Sequence, residues 1–405
     1  RGWHTDGPWS GYPTLWSDTY SFTTSLPYSG PTWYVSLNGN EFASGTEEDP
    51  FGSFYNAHQQ TEPGDTIYVM PGTYSGEYNQ GISNSQDEHH LTIIGTGSVD
   101  ETVFELTNTF ISFSNQSDGN IQNITFTSSG SMTNPYAIFV GNNGPSNVDI
   151  DNCKFTGILG RSVFLNHEST ANITNCVFTG NESVDTDFGT GGSSIYMGND
   201  VQLDLTNCLF YGNDDNYNDF GQRGTIYCSQ TSYIINIDNC TFYDNGGTGS
   251  IAIKDPNGNS GEQFINVLNS ILFSDIIDAE NATVSTTYSL IYDQEGLGNF
   301  YNDPLFVDVT SGNFHLSDYS PAIGAGTIAG APTTDINENQ RPNPTGSNPD
   351  MGAYENSNAS PAVTTIISTS MHSDDNSTVS IVFNDNVYNT ENGTGELEVS
   401  DFSLS

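Results

Sequence analysis

A six-residue pattern that recurs six times constrains this 405-residue chain more than any other feature. Each copy reads apolar residue, any residue, Asn, then Cys or another small or apolar residue, any residue, and Phe or Leu. The copies are IQNITF (121–126), IDNCKF (150–155), ITNCVF (173–178), LTNCLF (205–210), IDNCTF (237–242) and, imperfect in register, LNSILF (268–273). Successive Asn residues are 29, 23, 32, 32 and 30 positions apart. Such a period indicates a repeat architecture in which each unit packs against its neighbours.

Apolar residues alternate within each copy, which predicts a strand rather than a helix. A second set of segments repeats at similar spacing and also predicts strands: AIFVG (137–141), SVFLN (162–166), SIYMG (194–198), TIYCS (225–229) and SIAIK (250–254). Turn-rich stretches such as GNDDNYNDFGQRG (212–224) separate the copies. One such strand cannot bury its apolar side alone, whereas stacked turns can. The sequence therefore predicts an all-β chain folded as a parallel β-solenoid.

Stacking the repeats places equivalent residues in columns. The Asn residues then form a structural ladder in which each side-chain amide binds its neighbour one strand away. The predicted ladder consists of Asn123, Asn152, Asn175, Asn207, Asn239 and Asn269. The Cys of four copies would lie about 4.8 Å apart in the interior, which allows disulfides as well as buried free thiols. Of these two possibilities we favour buried free thiols that act as small apolar residues. Cys228, in the second set of strands, is expected to be an inert buried thiol as well.

Two long segments flank the repeats, TWYVSLNGNEFASGTEEDPFGSFYNAHQQTEPGDTIYVMPGTYSG (32–76) and NDPLFVDVTSGNFHLSDYSPAIGAG (302–326) followed by DINENQRPNPTGSNPDMGAYE (335–355). With these, the chain resembles secreted bacterial right-handed parallel β-helix proteins of the choice-of-anchor and pectate-lyase-like group. The resemblance implies a β-helix over residues 32–355, with an N-terminal cap at about 32–76, a short helix at about 51–60, and a closing segment at about 302–355. Caps are needed physically because the terminal turns of a solenoid expose unpaired strand edges.

Arg341 is surrounded in sequence by Asp335, Glu338, Asp350 and Glu355. A scarce guanidinium among carboxylates predicts a structural ion pair that holds an irregular coil together. We favour this architectural role over a place in an active site.

Both ends of the chain lie outside the repeats. Residues 1–31 are rich in Trp, Tyr, Gly and Pro, and are expected to pack along the solenoid; the alternative is docking to a neighbouring subunit. Residues 356–362 are a linker by composition. Residues 363–405 resemble the opening of an Ig-like surface-protein module, and we expect an incomplete Ig-like β-sandwich there. Alternatively these strands pair with another subunit.

The charge balance excludes several classes of function. The chain has 6 Lys and Arg against 49 Asp and Glu, a formal net charge of −43. Binding to nucleic acid and to anionic membrane surfaces is excluded, because both need clustered cations. The sequence contains no run of 18 apolar residues, so no segment is predicted to insert into a membrane. The acidity predicts an extracellular setting in a marine or salt-tolerant bacterium, where salt screens the charge.

Calcium is the one cofactor that the sequence suggests. Asp214, Asp215 and Asp219 lie in an Asn-rich turn whose oxygen atoms suit this ion. A solvated acidic loop is the alternative reading. The seven His residues show no zinc-like spacing.

No catalytic constellation is evident in the sequence. A lyase would need a base and a cation, and the candidates Lys154, Arg161, Arg223 and Lys254 form no recognisable cluster. Acidic pairs such as Asp149 and Asp151 are expected by chance among 49 acidic residues. Whether the chain is an enzyme therefore stays open, with the balance against it.

We expect a non-enzymatic extracellular β-helix module, structural or adhesive, within a larger cell-surface or filament-forming protein. Its expected partners are further copies of itself or neighbouring surface-protein domains, with a polysaccharide as a further candidate. The alternative is a carbohydrate-active enzyme, either a polysaccharide lyase or a glycosidase, or a glycan-binding module acting on a marine polysaccharide. A groove lined by exposed aromatic residues beside a charged cluster would favour the enzyme.

Overall fold

The computed structural model of the protein describes residues 31–85, 88–130, 132–134, 136–183, 192–214, 224–229, 232–246, 251–255, 262–279, 282–362, 366–371 and 379–383. The predicted N-terminal extension, residues 1–31, lies outside these ranges except for its last residue. Within the described residues, three parallel sheets make up the body of the molecule.

Each sheet takes one strand from each complete turn of the chain, and the turns at the two ends supply fewer. Sheet one contains Thr32–Asn40, Thr66–Val69, His90–Gly95, Asp118–Gln122, Asn147–Asp151, Thr170–Thr174, Val201–Thr206, Tyr233–Asp238, Gln263–Leu268 and Thr283–Thr287. Sheet two contains Ile82–Asn84, Ile111–Ser114, Tyr136–Asn142, Arg161–Leu165, Ile195–Met197, Ile226–Cys228, Ile251–Lys254 and Ile276–Asp278. Sheet three contains Gly72–Tyr74, Thr102–Leu106, Thr125–Ser128, Lys154–Thr156, Val177–Thr179, Leu209–Tyr211, Thr241–Tyr243, Ile271–Phe273 and Leu290–Ile291.

The repeat pattern sets the register between turns. Ile150 pairs with Ile121 on one side and with Ile173 on the other, and every pairing between turns is parallel in the described sheets. Equivalent residues thus stack one strand spacing apart, as a solenoid requires. The predicted all-β parallel solenoid is confirmed.

The interior is a set of identical stacks. Phe155, Phe178, Phe210 and Phe242 lie with ring centroids 4.5 to 4.8 Å apart and planes within 7° of parallel. All five cysteines are buried free thiols. Burial raises the pKa of the Cys176 thiol well above its ordinary value, as expected for an inert thiol in an apolar core.

The repeated motif is not the single strand that its alternation predicts. In each copy the Asn stands at a corner with φ between 47° and 61°, the last strand residue of sheet one precedes it, and a strand of sheet three follows. Asn tolerates this left-handed conformation better than most residues. The alternation therefore arises from inward side chains on both sides of a corner.

The N-terminal cap contains a helix shorter than predicted. It spans Phe54–His58, and the Ser53 side chain accepts a hydrogen bond from the Asn56 amide at its start. Phe54 and Ala57 are buried over the first turns of the core. A 3₁₀ turn, Glu77–Asn79, follows the first strand of sheet three. None of the helices in the described ranges is long and apolar enough to cross a membrane.

The closing segment runs along the outside of sheet three. It contains the antiparallel strands Phe306–Asp308 and Asn313–Leu316 and the 3₁₀ turn Val309–Ser311. Phe314, Ile336 and Ala353 from this segment pack on Leu209 of the sheet. Beyond it, Ile366–Met371 and Val379–Phe383 form an antiparallel pair. The Ig-like module stays a prediction, because most of residues 363–405 lie outside the described ranges.

Candidate functional site

The corner asparagines fall into two groups. The covered asparagines, Asn207, Asn239 and Asn269, are buried under the closing segment. Their Nδ2 atoms donate to the backbone carbonyls of Thr334, Asp350 and Thr327 at 2.8, 3.1 and 2.8 Å. All three side chains thus bind the closing segment, and Asn269 also donates to Asn239 Oδ1.

The open asparagines, Asn123, Asn152 and Asn175, lie outside that cover and are at least partly exposed. Asn152 donates to Asn123 Oδ1 at 3.1 Å, but Asn175 donates to Asp151 Oδ1 at 3.0 Å. The predicted ladder is therefore interrupted between Asn152 and Asn175. It resumes where Asn207 donates to Asn175 Oδ1 and is interrupted again between Asn207 and Asn239, since Asn239 donates to the Asp350 carbonyl instead.

Arg341 is buried where the closing segment meets this column. Its Nε lies 2.9 Å from Glu355 Oε2, its Nη1 donates to Asn207 Oδ1, and its Nη2 donates to the Gly352 carbonyl. Asp335 and Asp350, predicted as further partners, accept backbone amides of the same coil, and their carboxylates act on the Arg341 charge through electrostatics. Burial raises the pKa of Asp350 to about 7, and the neighbouring Glu355 contributes to this rise.

A second amide ladder, which sequence reasoning missed, lies in the interior. Asn181 donates to Asn213 Oδ1, Asn213 donates to Asn245 Oδ1, and Asn245 donates to Asp275 Oδ2, at 2.7 to 2.9 Å. All four residues are fully buried. The signal was present, since these residues are 32, 32 and 30 positions apart. The dipeptides Gly180-Asn181 and Gly212-Asn213, however, read as turns when taken alone.

The predicted calcium site stays a prediction. Asp215 and Asp219 lie outside the described residues, and Asp214 pairs with the chain through its backbone amide and carbonyl. Where the chain is described, no three His, Cys, Asp or Glu side chains come together in a way that could hold a metal ion.

An aromatic row follows the outward face of sheet two. Phe139, Phe164, Tyr196 and Tyr227 pair in register and are followed by Lys254. The Arg161 guanidinium lies 4.2 Å from the centre of the Tyr196 ring, and Lys254 binds Asp278 at 2.5 Å. Two of the four proposed lyase cations thus share one face.

Exposure decides what this row can do. Phe164, Tyr196 and Tyr227 are only 7%, 6% and 4% exposed. Rings this buried contribute packing energy and do not offer a platform to a ligand. The exposed aromatic groove that would have favoured an enzyme is therefore not found on this row.

Sheet one carries a different array, which we call the outer polar column. Its members pair in register across consecutive strands and point away from the core: Asn120, Asp149, Asn172, Asp204, Asn236 and Asn266. Inward neighbours such as Ile150 and Ile173 fix this orientation, because side chains alternate along a strand. Sequence reasoning missed the column although each member stands three residues before a corner asparagine.

Hydrogen bonds join neighbouring members of the outer polar column. Asn172 donates to Asp149 at 2.7 Å, Asn236 donates to Asp204 at 2.5 Å, and Asn266 donates to Asn236 at 2.8 Å. Gln202 adds a second amide to Asp204. Because Asn172 stands between them, Asp149 and Asp204 are two strand spacings apart, or about 9.5 Å, which limits their repulsion.

Asp238 lies on the strand next to Asp204, two residues beyond Asn236, on the same face. Burial raises the pKa of Asp238 to about 6, and the nearby Asp204 carboxylate adds to this effect. Sheet one thus combines a row of hydrogen-bonding amides and carboxylates with one carboxyl that holds its proton to mildly acidic pH.

Comparison with known proteins supports the handedness of the solenoid. Residues 109–275 match the family model described as a right handed beta helix region. No curated protein matches the chain.

Three solved structures show a distant likeness. Pectate lyase Pel9A is 16% identical with a TM-score of 0.40, covering 81% of this chain and 97% of that one. A rhamnogalacturonan lyase is 12% identical with a TM-score of 0.33, covering 69% and 91%. The PL6 family alginate lyase AlyGC is 9% identical with a TM-score of 0.22, covering 64% and 53%. Identities this low carry no information about activity. Over residues 109–275 the chain matches a right handed beta helix region, and its three parallel sheets give it the fold of a parallel β-helix.

Proposed function

We propose that this protein is an extracellular, non-enzymatic adhesive module that binds a neutral polysaccharide along the outward face of sheet one. The observation that carries the proposal is the outer polar column. It presents Asn and Asp side chains, at the spacing of the strands, on a face built from rigid β-structure. Amides and carboxylates in this arrangement can bind the hydroxyl groups of consecutive sugar units, and a rigid scaffold limits the entropy lost on binding.

The other two faces are less suited to a long ligand. Phe314 and Ile336 of the closing segment cover part of sheet three, and three of the four rings in the aromatic row of sheet two are buried. On sheet one, Asp149, Asn172 and Asn266 are exposed. A polymer would therefore meet its largest ordered set of polar groups on sheet one.

The negative charge of the protein favours a neutral glycan over an anionic one. A formal net charge of −43 repels polyuronates and sulfated polymers, and Asp149 and Asp204 add negative charge on this face. A neutral polymer avoids that repulsion. Carboxylate acceptors also form stronger hydrogen bonds to hydroxyl groups than neutral acceptors do.

The test is co-sedimentation of the full chain with insoluble neutral polysaccharides, at low and high salt. We expect binding that changes little with salt, and its loss in the double variant Asn172→Ala/Asn266→Ala. Asn348→Ala is the matched control, because Asn348 is exposed on the closing segment, away from sheet one. Retained binding in the double variant, or no binding to any neutral polymer, would contradict the proposal.

Asp204 and Asp238 favour a second candidate function, the hydrolysis of a bound glycan. A glycosidase needs one carboxyl that donates a proton and a second carboxylate beside it, and the raised pKa of Asp238 suits the donor. Release of reducing ends near pH 5 that is abolished by Asp238→Asn would support this candidate. Glycan binding without release would leave the non-enzymatic proposal in place.

A further inference from the structure

A small groove opens on the outside of sheet three, at the edge of the closing segment. Its volume is about 220 Å³. Its polar lining comes from sheet three, from the corners and the turn that lead into that sheet, and from the closing segment: Asp100, Asn152, Lys154, Asn175, Tyr211 and Tyr354. The groove lies beside the open asparagines, so it is a different surface from the outer polar column.

One wall of the groove is a set of hydrogen-bonding groups. Lys154 Nζ lies 2.9 Å from Asp100 Oδ1, with the two side chains 33% and 69% exposed. Asn152 donates through Nδ2 to Asn123, and its Oδ1 faces no donor among the described residues. The wall thus offers an ammonium donor, a carboxylate acceptor and an amide acceptor side by side.

A second part of the groove lining is aromatic and held in place by packing. The Tyr354 ring packs on His315 at 4.2 Å between centroids, and the Tyr211 ring packs on Phe314 at 4.8 Å. His315 is itself fixed by hydrogen bonds to Asn313 and Asn337. Burial raises the pKa of Tyr354 to about 12, so its hydroxyl stays a donor at neutral pH.

Gly312 keeps the space beside Tyr211 clear. Its φ is 77°, and a Cβ atom added there would lie 3.0 Å from the Tyr211 hydroxyl. Any side chain at this position would narrow the groove. The closing segment thus contributes an opening as well as a wall.

We propose that this groove binds a single neutral hexopyranose residue, as the end or a branch of a glycan. The volume suits one ring rather than an extended chain. The aromatic wall matches the apolar face of a sugar, and the Asp100, Lys154 and Asn152 groups match its hydroxyls. A charged ligand fits less well, because Lys154 is already neutralised by Asp100 and the protein repels anions. The proposal does not depend on glycan binding by sheet one.

Titration of the full chain with a panel of methyl hexopyranosides tests this, followed by the chemical shifts of protein amides. We expect saturable binding of at least one member, with shifts at Asn152 and Gly312. Lys154→Ala should weaken the affinity at least tenfold, and Gly312→Ala should abolish binding by filling the opening.

Lys254→Ala is the matched control, because Lys254 is the other lysine paired with an aspartate, on sheet two. It should bind the sugar as the parent chain does. Asn172→Ala/Asn266→Ala separates the two glycan proposals, since it removes sheet-one contacts and leaves the groove intact. The inference is wrong if no hexoside binds, or if Lys154→Ala binds as tightly as Lys254→Ala.

Discussion

The covered and the open asparagines share one backbone conformation but differ in what their side chains do. All six adopt positive φ at equivalent corners. Under the closing segment, the side chains bind carbonyls that are up to 127 residues away in sequence. The side chains of the open asparagines, which the closing segment does not cover, bind only neighbouring turns or border the groove. A repeat thus fixes where a residue stands, whereas a segment outside the repeat decides what that residue contributes.

The largest expected effect comes from breaking the covered side at Arg341. Arg341→Met leaves the buried Glu355 carboxylate without its ion pair, which should lower the free energy of unfolding by about 3 to 5 kcal/mol. Urea denaturation measures this. Lys154→Met, which breaks an exposed ion pair, is the control and should cost less than about 1 kcal/mol. Similar losses for the two variants would remove the distinction between the two sides.

A pair of glycine variants separates backbone from side chain. Gly accepts positive φ without strain, so Asn207→Gly and Asn152→Gly keep the corner and delete only the amide. Asn207→Gly should lose about 2 kcal/mol, because Arg341 Nη1 and the Thr334 carbonyl lose their buried partner. Asn152→Gly should stay within about 0.5 kcal/mol of the parent. Equal losses of unfolding free energy in chemical denaturation would mean that the contacts of Asn207 with the closing segment add nothing to stability.

The interior amide ladder predicts a pH dependence that belongs to the solenoid itself. Burial raises the pKa of Asp275 to about 7 in the folded chain, against about 3.9 when unfolded. Between these values the folded protein holds a proton that the unfolded chain has lost, so its contribution to stability falls as pH rises from about 4 to about 7. Asp275→Asn should therefore raise the melting temperature at pH 8 and change it little at pH 4.

The substitution Asp275→Asn suits the ladder, because an asparagine already fills the equivalent place one turn earlier. Asn245 Oδ1 accepts both the backbone and the side-chain amide of Asn213, as the introduced amide oxygen would accept those of Asn245. Asp350, whose pKa is also raised to about 7, titrates in the closing segment in the same range. Because Asp350 is present in both proteins, the difference in melting temperature between the parent and Asp275→Asn reports the contribution of Asp275 alone. An equal shift in melting temperature at both pH values would refute the protonation argument.

The smallest expected effect is on the open side. Asp100→Asn removes the exposed ion pair with Lys154 and should change stability by about 0.5 kcal/mol or less. The change should disappear at high salt, which screens exposed pairs. A loss above about 2 kcal/mol in urea denaturation would show that the groove is as tightly built as the covered side.

The sequence was sufficient for those parts of the fold that depend on repetition. The spacing of the corner asparagines predicted the solenoid, which the structure confirms. The motif was nevertheless misread as one strand, because inward residues around a corner alternate as they do along a strand. Asn181 and its partners were hidden in turn-like dipeptides, since a ladder is visible only when turns are aligned.

The contacts of the closing segment could not be predicted. Arg341 binds Asn207 across 134 residues, and no local pattern links the two. The outer polar column could have been found, because its members stand at a fixed offset from the corners. The difference between the exposed column and the buried aromatic row needed coordinates, since both alternate with inward residues in the same way.

The stacked phenylalanines have a consequence for how the length of such a protein can change. Phe155, Phe178, Phe210 and Phe242 are 23, 32 and 32 residues apart, yet their ring planes are within 7° of parallel, so the core of one turn is nearly superimposable on that of the next. If a whole turn is duplicated or deleted, the turns on either side should therefore stack on each other as the original neighbours did. The closing segment restricts this freedom to one end, since Asn207, Asn239 and Asn269 must keep their number and order beneath it. Turns should therefore be easier to add or remove between the N-terminal cap and Asn207 than beneath the closing segment.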